Sequence, residues 1–158
     1  LNQWLSEDFS LLAHEIHYQA IPRKIVCEEL ISSTAPVEFQ FWCLNGEPES
    51  MLVCRKNFDG TYDAASFSLE WERLYDRINE PIDCDFQKPE YLNQLISIAK
   101  NLTKPFPFVR ADFYMVEGRI YFAELTFTPA ANILSAYKDS FVSRLGKKLK
   151  LPNKYIPR

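Results

Sequence analysis

Residues 110–129 read RADFYMVEGRIYFAELTFTP. Two alternating runs flank Val116-Glu117-Gly118, with Asp112 in the first arm and Glu124 in the second. Strand side chains alternate faces, so the length of the turn fixes whether these acids share one. A two-residue Glu117-Gly118 turn pairs Val116 with Arg119 and mixes acids with core residues on both faces, a costly burial. A three-residue Val116-Glu117-Gly118 loop pairs Met115 with Arg119 and gives Gly118 the left-handed position that such loops favour. One face then holds Val109, Ala111, Phe113, Met115, Tyr121, Ala123, Leu125 and Phe127. The other collects Arg110, Asp112, Tyr114, Ile120, Phe122, Glu124 and Thr126, so the sequence predicts the three-residue register.

Working outward, PVEFQFWCLNGEPESMLVCRKN (36–57) alternates Val37, Phe39, Phe41 and Cys43 against Glu38, Gln40 and Trp42. It turns at Asn45-Gly46-Glu47-Pro48 and returns through Met51 to Cys54, a second antiparallel hairpin. RKIVCEELI (23–31) is short, β-branched and bounded by Pro22, which predicts a buried strand ending abruptly at Glu28-Glu29. After Pro89, Leu92, Leu95, Ile96, Ala99 and Leu102 form one helical stripe that Pro105 stops.

The N-terminal LNQWLSEDFSLLAHEIHY spaces its apolar residues as two short helical pieces around Ser6, and SAYKDSFVSRLGKKLKLP predicts a last amphipathic helix ending near Gly146. Between Asn57 and Lys88 only LEWERLYDRI (69–78) has a helical period, and the stretch predicts a loop folding over a site. The sum is a single α+β domain, an antiparallel sheet flanked by helices.

The chain has 158 residues, 47% hydrophobic and 15% aromatic, enough for one real core. Eighteen basic against 21 acidic residues, net -3, supply no footprint for nucleic acid and no polybasic membrane tether. No apolar run approaches a bilayer span, and polar Asn2, Gln3 and Ser6 do not read as a signal peptide, so a cytoplasmic protein is expected. Cys27, Cys43, Cys54 and Cys84 form no C-x-x-C pair. Free thiols are expected, buried at Cys27, Cys43 and Cys54. His14 and His17, three apart with no third ligand nearby, read as surface or packing residues.

Two carboxylates on one sheet face suit Mg²⁺ or Mn²⁺ held together with substrate phosphates. They equally suit a solvated sheet face on which Arg110 neutralises Asp112 or Glu124. The spacing alone leaves both readings open.

The hairpin resembles the ATP-grasp superfamily, whose metal-binding hairpin reads Arg-x-Asp, a turn, then Glu-x-Asn. KPFPFVRADFYMVEGRIYFAELTFTP, with IPRKIVCEELI and EFQFWCLNGEP, resembles its teichuronopeptide-synthesis-type (TupA-like) branch over roughly Leu1 to Pro152. The resemblance implies ATP and Mg²⁺ (or Mn²⁺) as cofactors, with Asp112 and Glu124 as metal ligands and Thr126 where many relatives place a ligating Asn. It implies Arg110 as the arginine aimed at the acyl phosphate or acceptor carboxylate. Adenine contact falls to Glu28, Glu29 and Leu30, ribose to Glu38, and phosphate to Arg55 with Lys56.

By the same resemblance the chain corresponds to the C-terminal portion of the fold, the N-terminal substrate domain and the phosphate-covering lysine and glycine segment being expected before Leu1. The complete enzyme is then a carboxylate–amine ligase that joins ATP with a small-molecule or polymer-precursor carboxylate in cell-surface polysaccharide synthesis. Two other classes stand beside it. One is a degenerate, non-catalytic ATP-grasp-like binding domain, suggested by Thr126 and by Ala130-Ala131 where relatives tend to have glycines. The other is a metal-dependent phosphohydrolase, whose nuclease form is opposed by the acidic balance and by the lack of a lysine two residues after Glu124.

Overall fold

The computed structural model describes residues 2–8, 10–11, 15–57, 59–79 and 85–151. Leu12, His14, Pro81, Cys84 and Pro152, which enter the sequence reading, lie outside these. The centre is one six-stranded antiparallel sheet, ordered β4-β3-β2-β1-β5-β6. Its strands are β1 (Val37–Leu44), β2 (Glu47–Lys56), β3 (Tyr62–Phe67), β4 (Arg73–Leu74), β5 (Phe108–Val116) and β6 (Arg119–Thr126). Among the described residues it is accompanied by the helices α1 (Asn2–Ser6), α2 (Leu92–Thr103) and α3 (Asp139–Lys148), with 3-10 turns at Ile16–Ala20 and Pro129–Asn132.

Alternation in β1 divides the molecule. Phe39, Phe41 and Cys43 join Met51, Val53, Ala65, Val109, Ala111 and Phe113 under α2, which contributes Leu92, Leu95 and Ala99. Burying each such side chain stabilises by about 1.5–3 kcal/mol, so this face anchors the fold. On the opposite face, Trp42 and Leu44 pack beneath Phe141 and Leu145 of α3. Helix α3 covers only that end, and the Glu38–Gln40 end of the face is left for a cleft.

The β1–β2 hairpin turns on Asn45 (φ 53°) and Gly46 (φ 80°), two left-handed residues of the kind that match the twist of paired strands. A Cβ on Gly46 would stand 2.9 Å from Lys104 Cα, so only glycine fits. Asn45 also fastens α3: its Nδ2 donates to Lys148 O at 2.9 Å, and Lys150 N donates to its Oδ1 at 2.9 Å.

Several expectations change. Residues 22–32 form no strand, and Val26 and Leu30 are each 76% exposed. A short apolar run needs a neighbouring strand to become one, and no described strand pairs with it. Cys27 is accordingly exposed, whereas Cys43 and Cys54 are buried. Within 57–88, where a covering loop was expected, Tyr62–Phe67 and Arg73–Leu74 join the sheet as β3 and β4, while residues 58 and 80–84 lie outside the described residues.

Residues 69–78 are not helical. Ser68 Oγ accepts from the backbone N–H of Glu70 and Glu72 at 3.2 and 3.1 Å, closing a tight turn. Trp71 stacks on Phe67 at 4.3 Å and 13°. Of the second N-terminal helical piece, Ser10 and Leu11 are helical, residues 12–14 lie outside the described residues and Ile16–Ala20 forms the 3-10 turn, while α3 runs through Gly146 to Lys148. Helix α2 ends at Thr103, just before Pro105.

Candidate functional site

The decisive hairpin brings Asp112 and Glu124 to one face as expected, but by another route and in another register. Its turn is two residues long: Val116 pairs with Arg119, and Glu117 (φ 50°) and Gly118 (φ 73°) are both left-handed. Odd residues then face even ones, with Met115 opposite Ile120, Tyr114 opposite Tyr121 and Phe113 opposite Phe122. Between Phe122 and Glu124 the ladder skips Ala123, a β-bulge that changes parity, so Asp112 pairs with Glu124, Ala111 with Leu125 and Arg110 with Thr126. The three-residue turn is thus corrected to a two-residue turn plus a bulge. Ile120 accordingly packs against the α2 core, and Tyr121 takes the cleft face in its place.

Arg110 is the hub. Its Nε and Nη2 hold both oxygens of Asp112 at 2.6–3.1 Å, a bidentate, charge-assisted pair. The same Nη2 donates to Glu124 Oε1 at 3.2 Å and to Thr126 Oγ1 at 3.3 Å, while Thr126 donates its own proton to Glu124 at 2.7 Å.

The two acids live in different media: the Asp112 side chain is 0% exposed and that of Glu124 59%. Burial pushes the Asp112 carboxyl up to about 7, against the opposing bonds and charge of Arg110. With both oxygens gripped by the guanidinium, the charged form is the one this geometry fits. Burial works against the Arg110 charge, but the bonds and charge of Asp112, then Glu124, outweigh it and raise its pKa.

Above this cluster opens a cleft of about 860 Å³. Glu28, Glu29, Leu30, Glu38, Gln40, Arg110 and Glu124 are among the residues that line it. The later part of the unpaired segment, Glu28 to Ser32, therefore has a place along the cleft. Asp112 is reached through Arg110, and Thr126 is tied in through Glu124.

Asp112, Thr126 and Arg55 do not line the cleft, and of these Arg55 is the one not tied to it through Arg110 or Glu124. It lies on the other face of the sheet, 5.8 Å over the Phe86 ring, while parity turns Lys56 into the cleft. Gln40, Tyr114 and Tyr121 also line it and were not singled out by sequence. Gln40 shares the parity of Glu38, a signal that was available, whereas Tyr121 depends on the bulge.

Glu38 is steadied by its cross-strand partner, Cys54, whose Sγ donates to Oε2 at 3.5 Å. Burial pushes that thiol up to about 12, so it remains a neutral donor. A further tie joins the N-terminal segment to the edge of the site: Thr128 Oγ1 donates to the buried Glu15 at 2.7 Å.

The donor set has the chemistry of a hard-cation site, two carboxylates and a hydroxyl, all oxygen. No cluster of three or more carboxylate, imidazole or thiol groups occurs among the described residues. Arg110 draws Asp112, Glu124 and Thr126 together and holds both Asp112 oxygens, so a cation at these donors would share them with the guanidinium.

Among the described residues no helix is long and apolar enough to cross a membrane. No curated protein matches the chain. A family model described as TupA-like ATPgrasp matches residues 1–150, and the ATP-grasp family generally uses ATP and Mg²⁺ in ligase-type reactions. With that match covering nearly all of its length, the chain belongs to the TupA-like ATP-grasp family.

Proposed function

We propose that this chain supplies the nucleotide- and metal-binding portion of an ATP-grasp ligase that works in the cytoplasm on cell-surface polymer synthesis. The ligase activates a carboxylate as an acyl phosphate, which an amine or similar nucleophile then attacks. The observation that carries the reading is the order of groups along the cleft. Leu30 lies with Val37 and Met115 at one end, Glu38 follows opposite Tyr114, and Gln40 opposite Asp112 leads on to Arg110. That is the order of adenine, ribose and triphosphate in a nucleotide laid along the sheet, where same-face positions are about 7 Å apart.

Asp112 and Glu124 would hold Mg²⁺, with Thr126 as a hydroxyl donor. Bound there, the ion supplies neutralisation of the triphosphate charge. Arg110 keeps the buried carboxylate ionised and oriented, and it offers a planar cation to phosphate or to the acceptor carboxylate. The protein's share of the chemistry is positioning and electrostatic. The N-terminal substrate domain and phosphate lid of the resemblance are the partners this reading calls for.

Calorimetric titration of the chain with ATP tests the reading: saturable binding is expected with Mg²⁺, and abolished by Glu124→Gln. If the chain does not bind ATP·Mg²⁺, the proposal fails.

A second reading, a domain that binds but does not catalyse, is favoured by Ala130, which holds φ 49° just beyond Pro129. Glycine adopts that conformation freely, and a methyl group there narrows the backbone's approach to a ligand. ATP binding without ADP release over a panel of carboxylate and amine substrates would select it.

A further inference from the structure

We infer that Gln40 is a nucleotide-contact residue whose carboxamide donates to the α-phosphate, the group joining the ribose to the rest of the triphosphate. The inference rests on the nucleotide reading of the cleft, and three observations on β1 and its neighbours carry it. Gln40 lies one same-face step from Glu38 and directly opposite Asp112 in the β1–β5 register. Glu38 is the ribose acid of that reading and Asp112 belongs to the triphosphate end, so Gln40 stands where the two parts of the ligand meet.

The next same-face position, Trp42, is buried under Phe141 of α3. Gln40 is therefore the last residue of β1 that lines the open cleft.

The third observation is its bonding. Glu38, Arg110, Asp112 and Glu124 all spend polar atoms on one another or on neighbours, whereas no hydrogen bond ties the Gln40 carboxamide to a described residue. A carboxamide offers two N–H donors without charge. Among three acids such a donor adds a contact to an anionic oxygen and leaves the balance of cations to Arg110 and the metal. A carboxylate in its place would repel the ligand.

The test compares ligands that differ by one phosphate. The chain and its Gln40→Met variant, which keeps length and loses the donors, are titrated calorimetrically with ATP, ADP, AMP and adenosine in Mg²⁺. One lost hydrogen bond to a charged group predicts roughly tenfold weaker binding of all three nucleotides, with adenosine unchanged. Gln40→Glu is expected to lose more on each nucleotide and again nothing on adenosine. Thermal melting of both variants at the parent midpoint removes misfolding as the cause.

An equal loss on adenosine, a loss confined to ATP, or no loss at all overturns the assignment to Gln40. Failure of the unsubstituted chain to bind any of the nucleotides overturns the underlying nucleotide reading instead, and is seen before any substitution is made.

Discussion

The two large hairpins share one plan and put it to different ends. Each turns on two left-handed residues, Asn45-Gly46 in the first and Glu117-Gly118 in the second. Each carries one extra residue on its returning strand, Glu49 in the first and Ala123 in the second. In the first hairpin the extra residue is itself the acid, and it leaves the ladder to meet α3: Lys148 Nζ lies 2.6 Å from both Glu49 oxygens and Arg144 at 3.7 Å. In the second the extra residue is an alanine, and its service is to move the next residue, Glu124, opposite Asp112. One bulge fastens a helix; the other assembles a charge cluster at the edge of a cleft. A bulge is thus a device for aiming side chains, and what it aims decides its meaning.

The contrast is broken most severely at Asp112. Asp112→Ala leaves Arg110 without its buried counter-charge, and loss of one partner of such a pair costs about 3–5 kcal/mol. A drop of that size in urea-unfolding stability is expected, and a drop below 1 kcal/mol would mean that the pair is not held as described.

Alkaline pH comes next and acts on the first hairpin. Burial pushes Cys43 and Cys54 up to about 12 from 9.0. Between these values the unfolded chain loses protons that the folded chain keeps, so stability present below pH 9 falls as pH rises toward 12. The urea midpoint is expected to decline across that window. At pH 8 an alkylating reagent should modify Cys27 at once and spare Cys43 and Cys54 until the hairpin opens.

Glu49→Ala should be milder, about 0.5–1 kcal/mol, because its partner Lys148 is half-exposed and water screens the pair. Glu124→Gln should be mildest for stability, within about 0.5 kcal/mol at a 59% exposed side chain, while nucleotide binding in Mg²⁺ is lost. Melting and titration of the same two variants sharpen the comparison. If Glu124→Gln destabilises as much as Glu49→Ala yet still binds nucleotide, the second bulge is structural like the first.

Legibility followed the range of the interactions. Hairpin 36–57 and helix α2 were readable because alternation, an Asn-Gly turn and a three–four stripe are local signals. That Asp112 and Glu124 share a face was also expected, but from a turn of the wrong length and in a register that set Asp112 opposite Phe122 rather than Glu124. Parity constrains only the sum of turn and ladder, so one residue added at the tip and one added at a bulge are indistinguishable on paper. Residues 23–31 and 69–78 misled for the complementary reason. Ile25-Val26-Cys27 has strand composition with no described neighbour to pair it, and Leu69–Ile78 has helical spacing overridden by Ser68 and the Trp71–Phe67 stack. Within the site, Glu38 and Gln40 were equally visible as one face of β1, and Arg55 was separated from Lys56 by parity alone.

The bulge at Ala123 has a chemical consequence beyond the acid pair. It works as a phase slip: outward of it, toward the tip, β6 shows the cleft its odd residues, and inward of it its even ones. A hairpin that reached the same pairing through a longer turn would keep one phase throughout and offer the tip of the cleft Ile120, an aliphatic surface. The slip offers Tyr121 beside Tyr114 instead, the second of which stands opposite Glu38. One inserted alanine thus gives a single strand two chemistries: a charged end suited to phosphate, and an aromatic, hydrogen-bonding end suited to a sugar and its base.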